Sequence, residues 1–142
     1  MISNFLHYLY HLDIYISVSN EKLRLKYKNI NKETKLKIKQ LKPLLIKRLK
    51  ENDEAIEKGF IIYRYGDLYE FRYGLNSFLF IERLDDQKAS AWRANYRQGD
   101  DKPYKVKLIA RNVPFNEAFE QASSFINWLY RMDGKRSTAC KN

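Results

Sequence analysis

A chain of 142 residues in which Lys and Arg outnumber Asp and Glu by 27 to 17 carries a formal net charge of +10 and is long enough for one core or two small modules. That surplus favours polyanionic partners (nucleic acid, an acidic protein or an anionic membrane) and is an argument about association, not about fold. The single cysteine, Cys140, excludes an intramolecular disulfide and fits a reducing, cytoplasmic setting. The first ten residues offer no basic n-region and no small-residue cleavage site. The longest apolar run falls far short of the ~20 residues of a membrane span, so no membrane partner is expected.

Ser3 is placed to cap a first helix, with Phe5, Leu6, Leu9 and Leu12 at helical spacing. Ile14, Ile16 and Val18 then alternate with Tyr15 and Ser17, and Ser19-Asn20-Glu21 supplies a hairpin turn. In the returning strand Leu23, Leu25 and Tyr27 share one face and Lys22, Arg24, Lys26 and Lys28 the other. This pattern predicts a strand that is half buried and half strongly positive. Asn31 caps a helix through Gln40, and Pro43 suits the first turn of the next, with Leu44, Leu45 and Leu49 facing inward. An acidic run then ends on Gly59, a helix stop and module boundary.

Beyond Gly59 the composition turns aromatic and β-prone. Strands are predicted over 60–65, 68–73, 78–84, 89–97 and 104–110, with an exposed loop at 98–103. On the fifth, Val106, Leu108 and Ala110 alternate against Lys105, Lys107 and Ile109. Pro114 precedes a helix over 116–132, where Ala118, Phe119, Ala122, Phe125, Ile126 and Leu129 form an apolar stripe to pack on the strands. Trp92 and Trp128 are expected in the core. Gly134 ends the helix, and 135–142 reads as a flexible tail. The fold class is α+β: an αββαα module over 1–58, then an antiparallel β-meander closed by a C-terminal helix over 59–134.

Three segments of the first module carry a resemblance. They are the short helix leading into Leu12-Asp13-Ile14-Tyr15-Ile16, the strand Lys22-Leu23-Arg24-Leu25, and Lys42-Pro43-Leu44-Leu45-Ile46-Lys47-Arg48-Leu49, a Lys followed by closely spaced leucines. Over about residues 4–52 the chain resembles the TubC N-terminal docking domain family. The resemblance implies a docking-like αββαα dimer whose hairpin captures a short acidic C-terminal segment of an upstream megasynthetase subunit. It puts Lys22, Arg24, Lys26 and Lys28 on the capturing strand and implies a homodimer through the first module. The family's Pro-Gly turn before the second helix is replaced here by Lys28-Asn29-Ile30-Asn31.

Catalytic constellations are thin. His7 and His11 stand four apart, a spacing that can present two imidazoles to a metal. With no Cys or carboxylate at ligand spacing they read as surface or half-buried histidines. Asp85-Asp86 and Asp100-Asp101 read as solvated turn residues, not as a Mg²⁺ site. No Gly-rich phosphate loop, nucleophile elbow or Cys–His pairing occurs. No enzyme, catalytic residue, metal or cofactor is therefore expected.

The binding signal is stronger. From Lys22 to Lys50 there are twelve Lys or Arg and one acid, Glu33. Lys22, Arg24, Lys26, Lys28, Lys32, Lys35, Lys37 and Lys39 can track a phosphate backbone or an acidic peptide. In the second module Arg64, Arg72, Arg93 and Arg97 interleave with Tyr65, Tyr73, Trp92 and Tyr96, residue types that pair phosphates and stack bases on a sheet. The expectation is a small non-enzymatic protein that binds nucleic acid or a host nucleoprotein complex, one form being a phage- or plasmid-borne inhibitor of bacterial defence. The alternative is a docking adaptor that captures an acidic linear motif.

Overall fold

Ile2, Phe5, Leu6 and Leu9 recur at three- and four-residue spacing, and all four are buried on one face of α1 (Ile2–His11). The computed structural model describes the backbone of residues 1–140 and the side chains of 1–133. The chain divides into two units, Met1–Tyr69 and Glu70–Asn142. Both mix helices with antiparallel strands, so the protein is α+β.

In the first unit α1 starts at Ile2, with Met1 as a cap whose side chain accepts no capping hydrogen bond. Ser3, expected as the cap, is instead buried inside the helix, where its hydroxyl has partners elsewhere. β1 (Tyr15–Ser19) and β2 (Lys22–Lys26) form a hairpin in register from Tyr15↔Lys26 to Ser19↔Lys22. Its two-residue loop places Asn20 at φ 51° and Glu21 at φ 64°, the pair of positive values that a type I′ turn needs. α2 (Lys32–Gln40) is capped as expected: Asn31 Oδ1 accepts from the Thr34 N–H at 2.7 Å. α3 (Lys42–Lys58) has Pro43 in its first turn and ends on Gly59 in the left-handed region, φ 109°. Ile2, Phe5, Leu6, Leu9, Ile14, Ile38 and Leu45 form the core, with Ile16, Leu23 and Leu49 packed against it.

Two expectations fail along α3. Leu44 points to solvent, and the buried line is Leu45, Arg48, Asn52 and Ala55, at intervals of three and four. The helix therefore buries a guanidinium and an amide. Their partners explain why the strand expected over 60–65 shrinks to β3 (Ile61–Tyr63). Arg64 and Tyr65 turn to positive φ and lead into Gly66 at φ 108°. The turn aims the Tyr65 carbonyl at Arg48 Nη1, 3.3 Å, and Asn52 Nδ2, 3.1 Å. Arg48 Nη1 also donates to Ser3 Oγ at 2.6 Å, Ser3 Oγ to Asp67 Oδ1 at 2.5 Å, and Tyr69 Oη to Asn52 Oδ1 at 2.5 Å. Buried polar groups need such partners. With the edge-to-face contact of Phe60 and Tyr69, they tie residues 60–69 to α3. The unit boundary consequently falls within β4 (Leu68–Gly74), where the sequence places a boundary at Gly59.

In the second unit β4, β5 (Ser77–Arg83), β6 (Lys88–Tyr96) and β7 (Pro103–Pro114) lie in sequence order, with β5–β6 and β6–β7 antiparallel. α4 (Phe115–Cys140) packs on β5, β6 and β7. Leu79, Ile81, Ala89 and Ala91 are buried on the helix side, as are Phe115, Ala118, Ala122 and Ile126 on α4. Phe125 is only half-buried, and Trp92 likewise. Trp128, expected inside, is 47% exposed, because it lies off the stripe and stacks on Phe125 one turn before it.

A bulge corrects the reading of β7. Ala91 pairs with Ala110 but Trp92 with Leu108, so Ile109 is the extra residue. The inserted residue breaks the alternation: Ala110 is buried while Val106 and Leu108 are exposed. α4 also passes through Gly134. An interior Gly costs about 1 kcal/mol relative to Ala, too little to stop a helix by itself. Of the tail expected over 135–142, residues 141 and 142 and all the side chains lie outside the described residues. Among the described residues no helix is long and apolar enough to cross a membrane.

Candidate nucleic-acid interface

Residues directly opposite in an antiparallel pair point to the same face. The register therefore gathers Tyr15, Ser17 and Ser19 of β1 with Lys26, Arg24 and Lys22 of β2 on the hairpin's outer face. Ile16 and Leu23 take the inner one, on the core. Lys22, Arg24 and Lys26 are all exposed. Alternate residues of a strand stand about 7 Å apart. That is within the Debye length of about 8 Å at physiological salt, so the three charges act together.

Lys28 follows β2 and is exposed. On α2, Lys32, Lys35 and Lys39 are spaced three and four apart and share the exposed side, opposite the buried Thr34 and Ile38. Lys37 departs from this group: its Nζ lies 5.0 Å from the centre of the Phe5 ring, a cation–π contact. Among the described residues the side chains of Lys22, Arg24, Lys26, Lys28, Lys32, Lys35 and Lys39 enter no ion pair or hydrogen bond.

Aromatic side chains adjoin this face. Tyr15 is 51% exposed and Tyr10 55%, and their rings meet edge-on with centroids 6.3 Å apart. Tyr10 also lies 6.4 Å from Tyr65, and Tyr65 5.8 Å from His7. His7 and His11 face each other across one helical turn with Nε2 atoms 2.9 Å apart, so one ring donates its proton to the other. Sequence reasoning did not assemble this cluster. The available signal was Tyr10 at the edge of the Phe5/Leu6/Leu9 stripe and Tyr15 out of phase with Ile14 and Ile16. Among the described residues no three His, Cys, Asp or Glu converge as a metal site.

Arg64, Arg72, Arg93 and Arg97 do not form one surface with their neighbouring aromatics. Arg64 belongs to the first unit, in the left-handed turn. Arg72 lies 5.6 Å over Phe78, and donates from Nε to the Gly74 carbonyl at 3.1 Å and from Nη2 to that of Leu75. Arg93 pairs opposite Leu79 on the helix side and covers the Phe125 ring at 4.5 Å. Next to it, burial pushes the Tyr73 phenol above its ordinary pKa, against the pull of Arg93. Arg97 stacks 5.4 Å over Tyr104. Trp92 lies on the opposite face from Arg93, in a chain of ring contacts running through Phe80 and Phe78 to Tyr96. Adjacent strand residues point to opposite faces, so an alternating Arg–aromatic text cannot build one patch.

The hairpin turn has the opposite charge. Glu21 forms an ion pair with Lys50 of α3, and that hydrogen bond raises the Lys50 pKa. Glu21, Asp53 and Glu54 line an open pocket of about 220 Å³ beneath the turn.

No protein-family model matches the chain, and comparison with curated proteins and with solved structures yields no match.

Proposed function

We propose that the protein is a non-enzymatic binding protein whose first unit engages nucleic acid, free or within a nucleoprotein complex. The outer face of the β1–β2 hairpin and the exposed side of α2 supply the contacts. One observation carries the reading: Lys22, Arg24 and Lys26 line a single solvent-facing strand face without partner acids, beside the exposed ring of Tyr15. Cations so arranged displace the counterions of a phosphate backbone, and log K then falls by roughly 0.7 to 0.9 per phosphate contacted for each unit of log salt.

The test is the double reversal Arg24→Glu/Lys26→Glu, read by fluorescence anisotropy with a generic single strand and a generic duplex across a salt series. Binding by the wild type, a loss of at least about tenfold in the variant, a shallower salt slope and an unchanged circular dichroism spectrum are expected. Absence of binding to either probe at low salt overturns the reading, as does a variant that binds like the wild type.

A second reading rests on a separate observation. β1 and β2 pair only with each other among the described residues, and β2 is exposed at four of its five positions. An extended acidic peptide adds readily to such an edge, with main-chain hydrogen bonds for affinity and the cations for specificity. This docking-adaptor reading gains if an acidic peptide binds where nucleic acid does not.

A further inference from the structure

We infer that the hairpin face selects single-stranded over double-stranded nucleic acid, because Tyr10 and Tyr15 form a platform for unstacked bases. The inference rests on the nucleic-acid reading and names its ligand class. Tyr15 stands directly across from Lys26, which places a ring and a cation about 5 Å apart at their Cβ atoms. A nucleotide can therefore lay its base on Tyr15 while its phosphate meets Lys26, with the strand continuing along Arg24 and Lys22. Tyr10 extends the platform, its ring edge-on to Tyr15 at 6.3 Å. Both residues are more than half exposed, and neither hydroxyl has a hydrogen-bond partner among the described residues.

Neither ring contributes to the core, which Phe5, Leu6, Leu9 and Ile14 fill from the other sides of the same elements. A duplex keeps its base faces inside its own stack and offers only phosphates and groove edges. It can use the cations but not the rings. A single strand can use both, and aromatic stacking is indifferent to which base is present.

The experiment measures affinity for an oligothymidylate single strand and for a duplex of matched length, using the wild type, Tyr15→Ala, Tyr15→Phe, Tyr10→Ala/Tyr15→Ala and the Arg24→Glu/Lys26→Glu reversal. The wild type is expected to prefer the single strand. Each lost ring should weaken single-strand binding by about 5- to 150-fold and leave duplex affinity and the salt slope in place. Tyr15→Phe should bind like the wild type, since the ring is kept. Equal or tighter duplex binding by the wild type overturns the inference whatever the variants do. So does a Tyr15→Ala variant that loses nothing, or loses equally on both probes. In those outcomes the reversal variant still weakens both probes and the nucleic-acid reading stands; no binding by the wild type to either probe overturns both.

Discussion

Replacing Gly66 by Ala tests the buried polar cluster of the first unit at its tightest point. Gly66 sits at φ +108°, and a Cβ there falls 2.7 Å from Asn52 Oδ1, 2.7 Å from Tyr69 Oη and 2.9 Å from Arg48 Cδ. The two oxygens are bonded to each other at 2.5 Å, and Tyr69 is fully buried, so neither can swing into solvent. Forcing an L residue into this backbone region costs on the order of 1–3 kcal/mol. Breaking the Tyr69–Asn52 bond in the interior adds about 1–3 kcal/mol for groups left unsatisfied. The expected loss is therefore about 2–6 kcal/mol, a large share of the roughly 5–15 kcal/mol that folded domains hold.

Gly99→Ala separates the two contributions. Gly99 has φ +84° and nothing within 4 Å of its would-be Cβ, so it carries only the backbone cost. Urea denaturation of both variants, followed by circular dichroism, gives the comparison. Both tryptophans, Trp92 and Trp128, lie in the second unit, so their fluorescence reports that unit separately. A Gly66→Ala variant that loses no more than Gly99→Ala would refute the packing argument.

In the second unit, Ile126 is fully buried, and Ile126→Ala should cost about 2–5 kcal/mol. Phe125 is half-buried, its ring held by Arg93 at 4.5 Å and Tyr73 at 5.2 Å, and should cost less than the roughly 3–5 kcal/mol of a fully buried Phe. Denaturation monitored by tryptophan fluorescence reads both, and a greater loss at Phe125 would place the core on the wrong side of α4. Asp85 accepts the Gln87 and Lys88 backbone N–H groups at 2.7 Å each, and these bonds hold its pKa below the ordinary carboxylate value. A depressed folded-state pKa gives stability that is present above the unfolded value of about 3.9 and lost as pH falls through the folded one. Thermal melts of Asp85→Asn should thus show a deficit at neutral pH that closes in acid; a deficit independent of pH would exclude this linkage.

The elements that were legible in the sequence are those fixed by short-range chemistry. Asn31 caps α2 with its own side chain, Pro43 fits the first turn of α3, Gly59 supplies the left-handed stop, and Asn20-Glu21 closes the hairpin. What was illegible depends on partners remote in the chain. Arg48 reads as one more surface cation in a Lys-rich run, yet Ser3, 45 residues away, and the Tyr65 carbonyl take it inside. The outward turn of Val106 and Leu108 follows from a bulge at Ile109, which exists only in the pairing with β6. For the candidate site, period two placed Lys22, Arg24 and Lys26 on one face, but Lys28, read with them, lies past the end of β2, and Leu25 and Tyr27, read with the buried face, are exposed. The same period divided Arg93 from Trp92, a separation hidden when aromatic and basic residues are counted along the chain.

α3 joins the interior of the first unit to its basic hairpin face. Arg48 and Asn52 point into the polar cluster, while Lys50, between them, reaches out to Glu21 at the hairpin turn. Removing any one partner of a buried guanidinium is costly, so the cluster ties α1, α3 and the 64–67 turn together. The hairpin rests on that helix through β1 and β2. Its outer face then breaks the rules that govern the rest of the unit. Three cations line a single strand face with no acid opposite, and Tyr15 on that face and Tyr10 beside it stay exposed. Like charges so placed repel one another and weaken the free protein. Local choices that oppose folding collect where a partner relieves them. A polyanion with exposed bases, the ligand we propose, would relieve both at once by neutralising the cations and covering the rings.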